Sequence, residues 1–146
     1  MNNNEVISIL NDLVQTCKDG QEGFHNAAEK IRNSEFRRLF NIFSQQRAQF
    51  VTELQAEVHR LGGDVTDSGS VSGALHRGLT NVRSFVTRND EASIIAECQR
   101  GEETAVNAYQ EALKADLPLD VQYVVKRQYM DVKDAFDRIR ILQRAA

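Results

Sequence analysis

An all-α fold is predicted: four long helices packed side by side, with one long helical crossover between the second and the third. Three observations carry this. Hydrophobic residues return every three or four positions over stretches of about 25 residues, the period of a helix with one buried face. The 146-residue chain holds a single proline and eight glycines, and proline inside a helix costs about 3 kcal/mol. Turn-forming residues gather at Asn33-Ser34, between Gly62 and Asp90, and at Asp116-Leu117-Pro118.

In the first helix, expected over residues 5–32, Val6, Leu10, Leu13, Cys17, Phe24, Ala28 and Ile31 share one stripe, which Gly20 and Gln21 interrupt. Asn33-Ser34 breaks it, and the Ser34 hydroxyl is expected to cap the second helix by accepting from one of its unpaired amides. That helix carries Phe36, Phe40, Phe43, Phe50, Leu54 and Leu61 at the same spacing. Gly62-Gly63 ends it, since glycine takes a left-handed C-cap without penalty.

Residues 64–70 read as loop and 71–87 as a shorter helix with Ala74, Leu75, Leu79, Val82 and Val86 inward. Asn89 or Asp90 caps the third long helix, which runs to about residue 115 through Ile94, Cys98, Ala105, Tyr109 and Ala112. Pro118 suits the start of the fourth, over residues 119–143, where Val121, Val125, Val132, Ala135, Ile139 and Leu142 form the stripe.

Each long helix spans about 37 Å at 1.5 Å per residue, and the two short turns make antiparallel hairpins of the first and last pairs. A crossover helix of about 17 residues covers about 25 Å, enough with its flanking loops to start the third helix at the far end. This selects the ferritin-like arrangement over a simple up-down bundle, with residues 1–146 as a single domain.

Composition excludes several classes. Hydrophobic residues make up 41% and charged residues 27%, and the net charge of −3 is spread without a basic patch, so nucleic acid is not an expected partner. Cys17 and Cys98 lack the spacing of a zinc or redox motif and are too few for a disulfide framework. Met1-Asn2-Asn3-Asn4-Glu5 does not pattern as a secretory signal, and no apolar run reaches the length of a membrane span. A cytoplasmic protein without membrane association is expected.

Several separated motifs then carry a family resemblance: Cys17-Lys18-Asp19-Gly20 and Gly23-Phe24 in the first helix, Arg60-Leu61-Gly62-Gly63 after the second, and Gly73-Ala74-Leu75-His76-Arg77 in the crossover. Glu97-Cys98, Gly101-Glu102, Tyr109, Ala112-Leu113 and Leu117-Pro118 complete the set. Across nearly its whole length the chain resembles an uncharacterised bacterial family, a ferritin-like four-helix-bundle domain of unknown function. The resemblance implies fold, not activity. Where that family often carries His-Asp before the final Arg-Ile, this chain has Phe136-Asp137.

A ferritin-like bundle raises the question of a di-iron or di-manganese centre, which takes a carboxylate from each of two helices and a Glu-x-x-His pair from each of the other two. The one such motif here, Glu22 with His25, sits out of register: Phe24 belongs to the core stripe, and Glu22 aligns with Lys18, Asn26 and Glu29. His59 follows Glu57 by two positions, which points the pair apart, and His76 lies in the crossover. An all-carboxylate or mixed set of Glu22, Glu57, Glu102 and Asp131, for iron or manganese, is the remaining metal candidate.

Arg47, Glu57, Glu102 and Gln128 fall where the stripes call for apolar side chains, with Tyr109 two helical turns beyond Glu102. Because buried charges persist only when paired, they are read first as a structural network that fixes register and second as a variant ligand site. Cys98 beside Glu97 is read as a small apolar core residue, with redox sensing as the competing role. No serine or cysteine is tied by spacing to a histidine base, and no glycine-rich phosphate loop occurs, so no catalytic residue and no cofactor are assigned.

The leading expectation is a non-enzymatic helical-bundle protein acting by self-association, as a homodimer, or by binding a protein partner. Leu79, Val82 and Phe85 on the crossover spread beyond one stripe and offer a dimer contact. The alternative is a ferritin-like metal-carboxylate protein in oxidative-stress chemistry, with a non-standard or degenerate site.

Overall fold

The computed structural model describes residues 1–64 and 90–145, and within them four helices and no strand: α1 (Asn3–Lys30), α2 (Ser34–Arg60), α3 (Glu91–Leu113) and α4 (Leu119–Ala145). The expected crossover helix over 71–87, with His76, Leu79, Val82 and Phe85, lies outside the described residues, as does Asn89.

Helix ends follow from local hydrogen bonding. Asn2 caps α1 through its side-chain oxygen, which accepts from the Glu5 amide at 2.9 Å. Asn33, not Ser34, caps α2. Its carboxamide oxygen accepts from the amides of Glu35 at 2.9 Å and Phe36 at 3.2 Å, and Ser34 becomes the first helical residue. Both residues are good caps, and the extended backbone at Asn33 decides between them. Asp90 caps α3 by accepting from the Ser93 amide at 2.8 Å.

The end of α2 matches the glycine expectation in detail. Gly62 has φ +84°, its amide donates to the His59 carbonyl, and the Gly63 amide donates back to the Val58 carbonyl, the paired bonds of a Schellman motif. Gly63 is also required by packing, because a Cβ there would meet Ile7 Cδ1 at 2.7 Å.

Two apolar clusters fix the helix directions. Val6, Leu10 and Cys17 of α1 pack with Leu54 and Val58 of α2, Ala105 and Tyr109 of α3, and Val121 and Val125 of α4. At the other end, Phe24 and Ile31 pack with Phe40 and Phe43, Ile94 and Ile95, and Ala135 and Ile139. Thus α1 and α4 run one way and α2 and α3 the other. α2 finishes at the end where α3 also finishes, so Asp64 and Asp90 stand at opposite ends of the bundle. This is the ferritin-like order, with one connection that must travel its length. Among the described residues, no helix is long and apolar enough to cross a membrane.

Candidate functional site

The interior is apolar at both ends and polar near its middle. Among the described residues the buried polar side chains are Gln15, Ser44, Arg47, Glu102 and Gln128, and Glu102 is the sole buried acid. Two connected assemblies occupy mid-height.

The first is an ion pair between α2 and α3. Arg47 Nη1 donates to Glu102 Oε1 and Nη2 to Oε2, the latter at 2.6 Å, with both side chains 1% exposed. The geometry is the bidentate fork that matches guanidinium to carboxylate. Burial by itself would lower the Arg47 pKa; the Glu102 charge and hydrogen bonds outweigh it and raise it, so the cation is locked in. The guanidinium also lies 5.4 Å from the Phe24 ring centroid and 5.9 Å from that of Phe50, within cation–π range.

Gly20 of α1 makes room for this arginine. A Cβ there would sit 3.3 Å from Arg47 Nη1, tighter than most such contacts, and in ordinary contact with Cγ at 3.5 Å. The gap in the α1 stripe is therefore the socket for the α2 side chain. Nearby, the Ser44 hydroxyl donates to the Gln21 carbonyl at 2.9 Å and ties α2 to α1 directly.

The second assembly is a chain of hydrogen bonds through all four helices. Glu53 of α2 accepts from Gln128 Nε2 at 2.9 Å, which orients the carboxamide so that Oε1 points at Tyr109 and accepts its hydroxyl at 2.6 Å. The tyrosine proton is thus committed to Gln128, and its oxygen is left to accept from the Cys17 thiol at 3.1 Å. The order is Cys17 (α1), Tyr109 (α3), Gln128 (α4), Glu53 (α2). Gln128 Nε2 also lies 3.4 Å from the Phe50 carbonyl.

Outside the core, Glu53 pairs with Arg127 at 2.8 Å. Partial burial pushes the Glu53 pKa up, but the hydrogen bonds from Gln128 and Arg127 prevail and hold it below the usual glutamate value. Burial drives the Cys17 thiol up to about 11 and raises Tyr109 as well. Cys98 is raised by burial and then by the Glu102 and Glu97 charges. Neither thiol is a nucleophile in this state.

Of the five polar residues expected inside, Arg47, Glu102, Tyr109 and Gln128 come together and Glu57 does not. Glu57 is only partly buried and pairs with Arg60 at 2.6 Å, while Arg60 also reaches Asp120 at the start of α4. The physical reason is register: Val58, four residues beyond Leu54, continues the buried face and turns Glu57 to its edge. Cys17 and Glu53 join the assembly unforeseen. A cysteine on a core stripe reads as apolar, and Glu53 is reached only through the length of Gln128.

The carboxylates of the metal candidate set are not brought together. Glu22 is exposed, Glu57 is held by Arg60, Glu102 gives both oxygens to Arg47, and Asp131 is only partly buried. His25 is exposed and pairs with Glu29 at 3.0 Å, and His59 is exposed. Among the described residues no group of three or more His, Cys, Asp or Glu side chains could hold a metal ion. The donor set at mid-height, one carboxylate already bonded to a permanent cation, does not fit a two-metal centre.

Sequence comparison places these helices in a family. Residues 5–115 match the family model described as a domain of unknown function, DUF2383. The chain belongs to this family. No match is found among curated proteins. This DUF2383 chain is similar in fold to a two-domain protein containing DJ-1/ThiJ/PfpI-like and ferritin-like domains from Anabaena variabilis ATCC 29413, with a TM-score of 0.79 at 15% identity over 99% of the chain. It spans 37% of that protein's length. It is likewise similar to a mutant of Dps1 from Mycobacterium smegmatis, with a TM-score of 0.80 at 11% identity over 97% of this chain and 96% of the other. At these identities the likeness is one of fold: a ferritin-like four-helix bundle.

Proposed function

We propose that this DUF2383 chain is a non-enzymatic helical-bundle protein that acts through its surface, by self-association or by binding a protein partner. The observation that carries the reading is the use made of Glu102. It is the one buried acid among the described residues, and both of its oxygens are held by Arg47. A metal ion entering there would face a guanidinium that cannot give up its charge, and would have to break a bidentate pair to gain one ligand. The interior is then a device that holds four helices in register, and what the protein does is done outside it.

The alternative, a metal-carboxylate protein with a non-standard site, draws support from the likeness to a ferritin-like domain and to Dps1, which is a likeness of fold and carries no ligand set. Metal analysis of protein purified without chelator, followed by titration with ferrous iron, separates the two. Substoichiometric metal and no iron oxidation are expected. Stoichiometric metal that is lost in Glu102→Gln would overturn the proposal.

A further inference from the structure

Among the described residues six large apolar side chains are exposed, and four of them, Leu119, Tyr123, Met130 and Ile141, belong to α4. At about 100° per residue these four fall within about 40° of one another. They lie on the side of α4 opposite Val121, Val125, Gln128, Val132, Ala135 and Ile139, which enter the core. Exposed apolar residues scattered singly are ordinary; a line of them along one helix marks a contact surface. Leu119, Met130 and Ile141 are evenly spaced, each about 11 residues or roughly 16 Å from the next.

We propose that this stripe is the interface of a two-fold symmetric dimer, in which α4 packs antiparallel against α4 of a second copy of this chain with the axis at Met130. This rests on the reading that the protein acts through its surface, and it commits self-association to one face. A spacing of about 11 residues is close to three full turns, so the stripe runs nearly straight and two such helices stay in contact along it. Leu119 and Ile141 lie equally far on either side of Met130. Leu119 therefore faces the partner's Ile141, and Met130 meets the partner's Met130.

Charges on one flank of the stripe fit this partner and this direction. On one flank of the stripe Asp120, Arg127, Asp134 and Arg138 follow in order. Reversal about Met130 brings Arg127 level with the partner's Asp134 and Asp120 close to the partner's Arg138. Asp137 falls on the stripe itself, level with the partner's Tyr123, and it neutralises its own Lys133 at 2.9 Å, beside which the partner's Lys126 comes level. Within one chain these acids and bases already pair with Arg60, Glu53 and each other, so the contact extends existing networks and strands no ion.

Met130 is 70% exposed, so charging it leaves the fold intact, which circular dichroism checks. Sedimentation of the full chain is measured for the wild type, Met130→Lys and Met130→Glu, and for an equimolar mixture of the two variants. The wild type is expected to dimerise, each variant alone to weaken the dimer at least tenfold as like charges meet on the axis, and the mixture to restore it. A monomeric wild type would remove self-association altogether. A dimeric wild type with dimeric variants would keep self-association and move the interface elsewhere. Variants that dissociate and do not recombine on mixing would rule out the axis at Met130.

Discussion

Arg47 and Glu102, on helices that are not joined by either short turn, meet as a bidentate pair with 1% of each side chain exposed. Beside them, Tyr109 gives its proton to Gln128 and takes one from Cys17. A slip of any helix by about one turn keeps its apolar face inward but moves its polar member by about 5.4 Å, breaking these bonds. Apolar contacts tolerate such a slip far better. The polar middle therefore specifies register, while the two apolar clusters supply the bulk of the stabilisation.

Thiol reactivity follows from burial. Cys17 and Cys98 are both buried and free, with raised pKa values. Native protein is expected to react slowly with a thiol reagent at pH 8 and to release both thiols only on unfolding. Fast reaction of either thiol in the native state would contradict the packing. Between the ordinary thiol pKa of 9.0 and the folded value of about 11 for Cys17, the unfolded chain loses a proton that the folded chain keeps. Stability should therefore fall as pH rises through that range, less steeply in Cys17→Ala.

Acid has the opposite sign at Glu53. Its folded pKa lies below the ordinary 4.5, so its contribution is present above that value and lost as pH falls through the folded pKa. Urea midpoints measured from pH 6 downward should drop more for the wild type than for Glu53→Gln. Parallel curves would remove the Gln128–Glu53–Arg127 arrangement as a source of stability.

Three glycines within helices separate propensity from space. A Cβ at Gly23 or Gly101 meets nothing within 4 Å, whereas one at Gly20 crowds Arg47. Gly23→Ala and Gly101→Ala should each stabilise by up to about 1 kcal/mol, the usual helix-propensity gain. Gly20→Ala should gain distinctly less or lose, and Gly20→Leu should unfold the middle of the bundle. Equal thermal shifts for the three alanine variants would show that Gly20 is not a socket.

The helices were legible because each keeps one apolar face at a period near 3.6, and because Gly62-Gly63 and Pro118 stand where helices end or begin. Arg47, Glu102 and Gln128 could be named because each interrupts such a face, and Tyr109 because it follows Glu102 by two turns. Other features depend on two helices at once. Gly20 reads as a gap until Arg47 lies against it, Glu53 reads as surface until Gln128 reaches it, and Cys17 reads as a small apolar residue until its thiol meets Tyr109. Glu57 was misplaced for a smaller reason: near the end of α2 the buried face passes through Val58, and Arg60 lies one turn away to hold the displaced carboxylate. The α4 stripe was not legible because its four residues read as scattered apolar positions until packing fixes which face of α4 is buried.

The register-fixing role of the polar middle is tested most directly by a double-mutant cycle on the buried pair, read from urea unfolding of Arg47→Met, Glu102→Leu and the double variant. Each single change leaves a buried group without its partner and should cost about 3–5 kcal/mol, while the double variant, with an apolar pair of similar volume, should recover most of that loss. Single variants with unchanged midpoints, or a double variant whose loss equals the sum of the two, would contradict it.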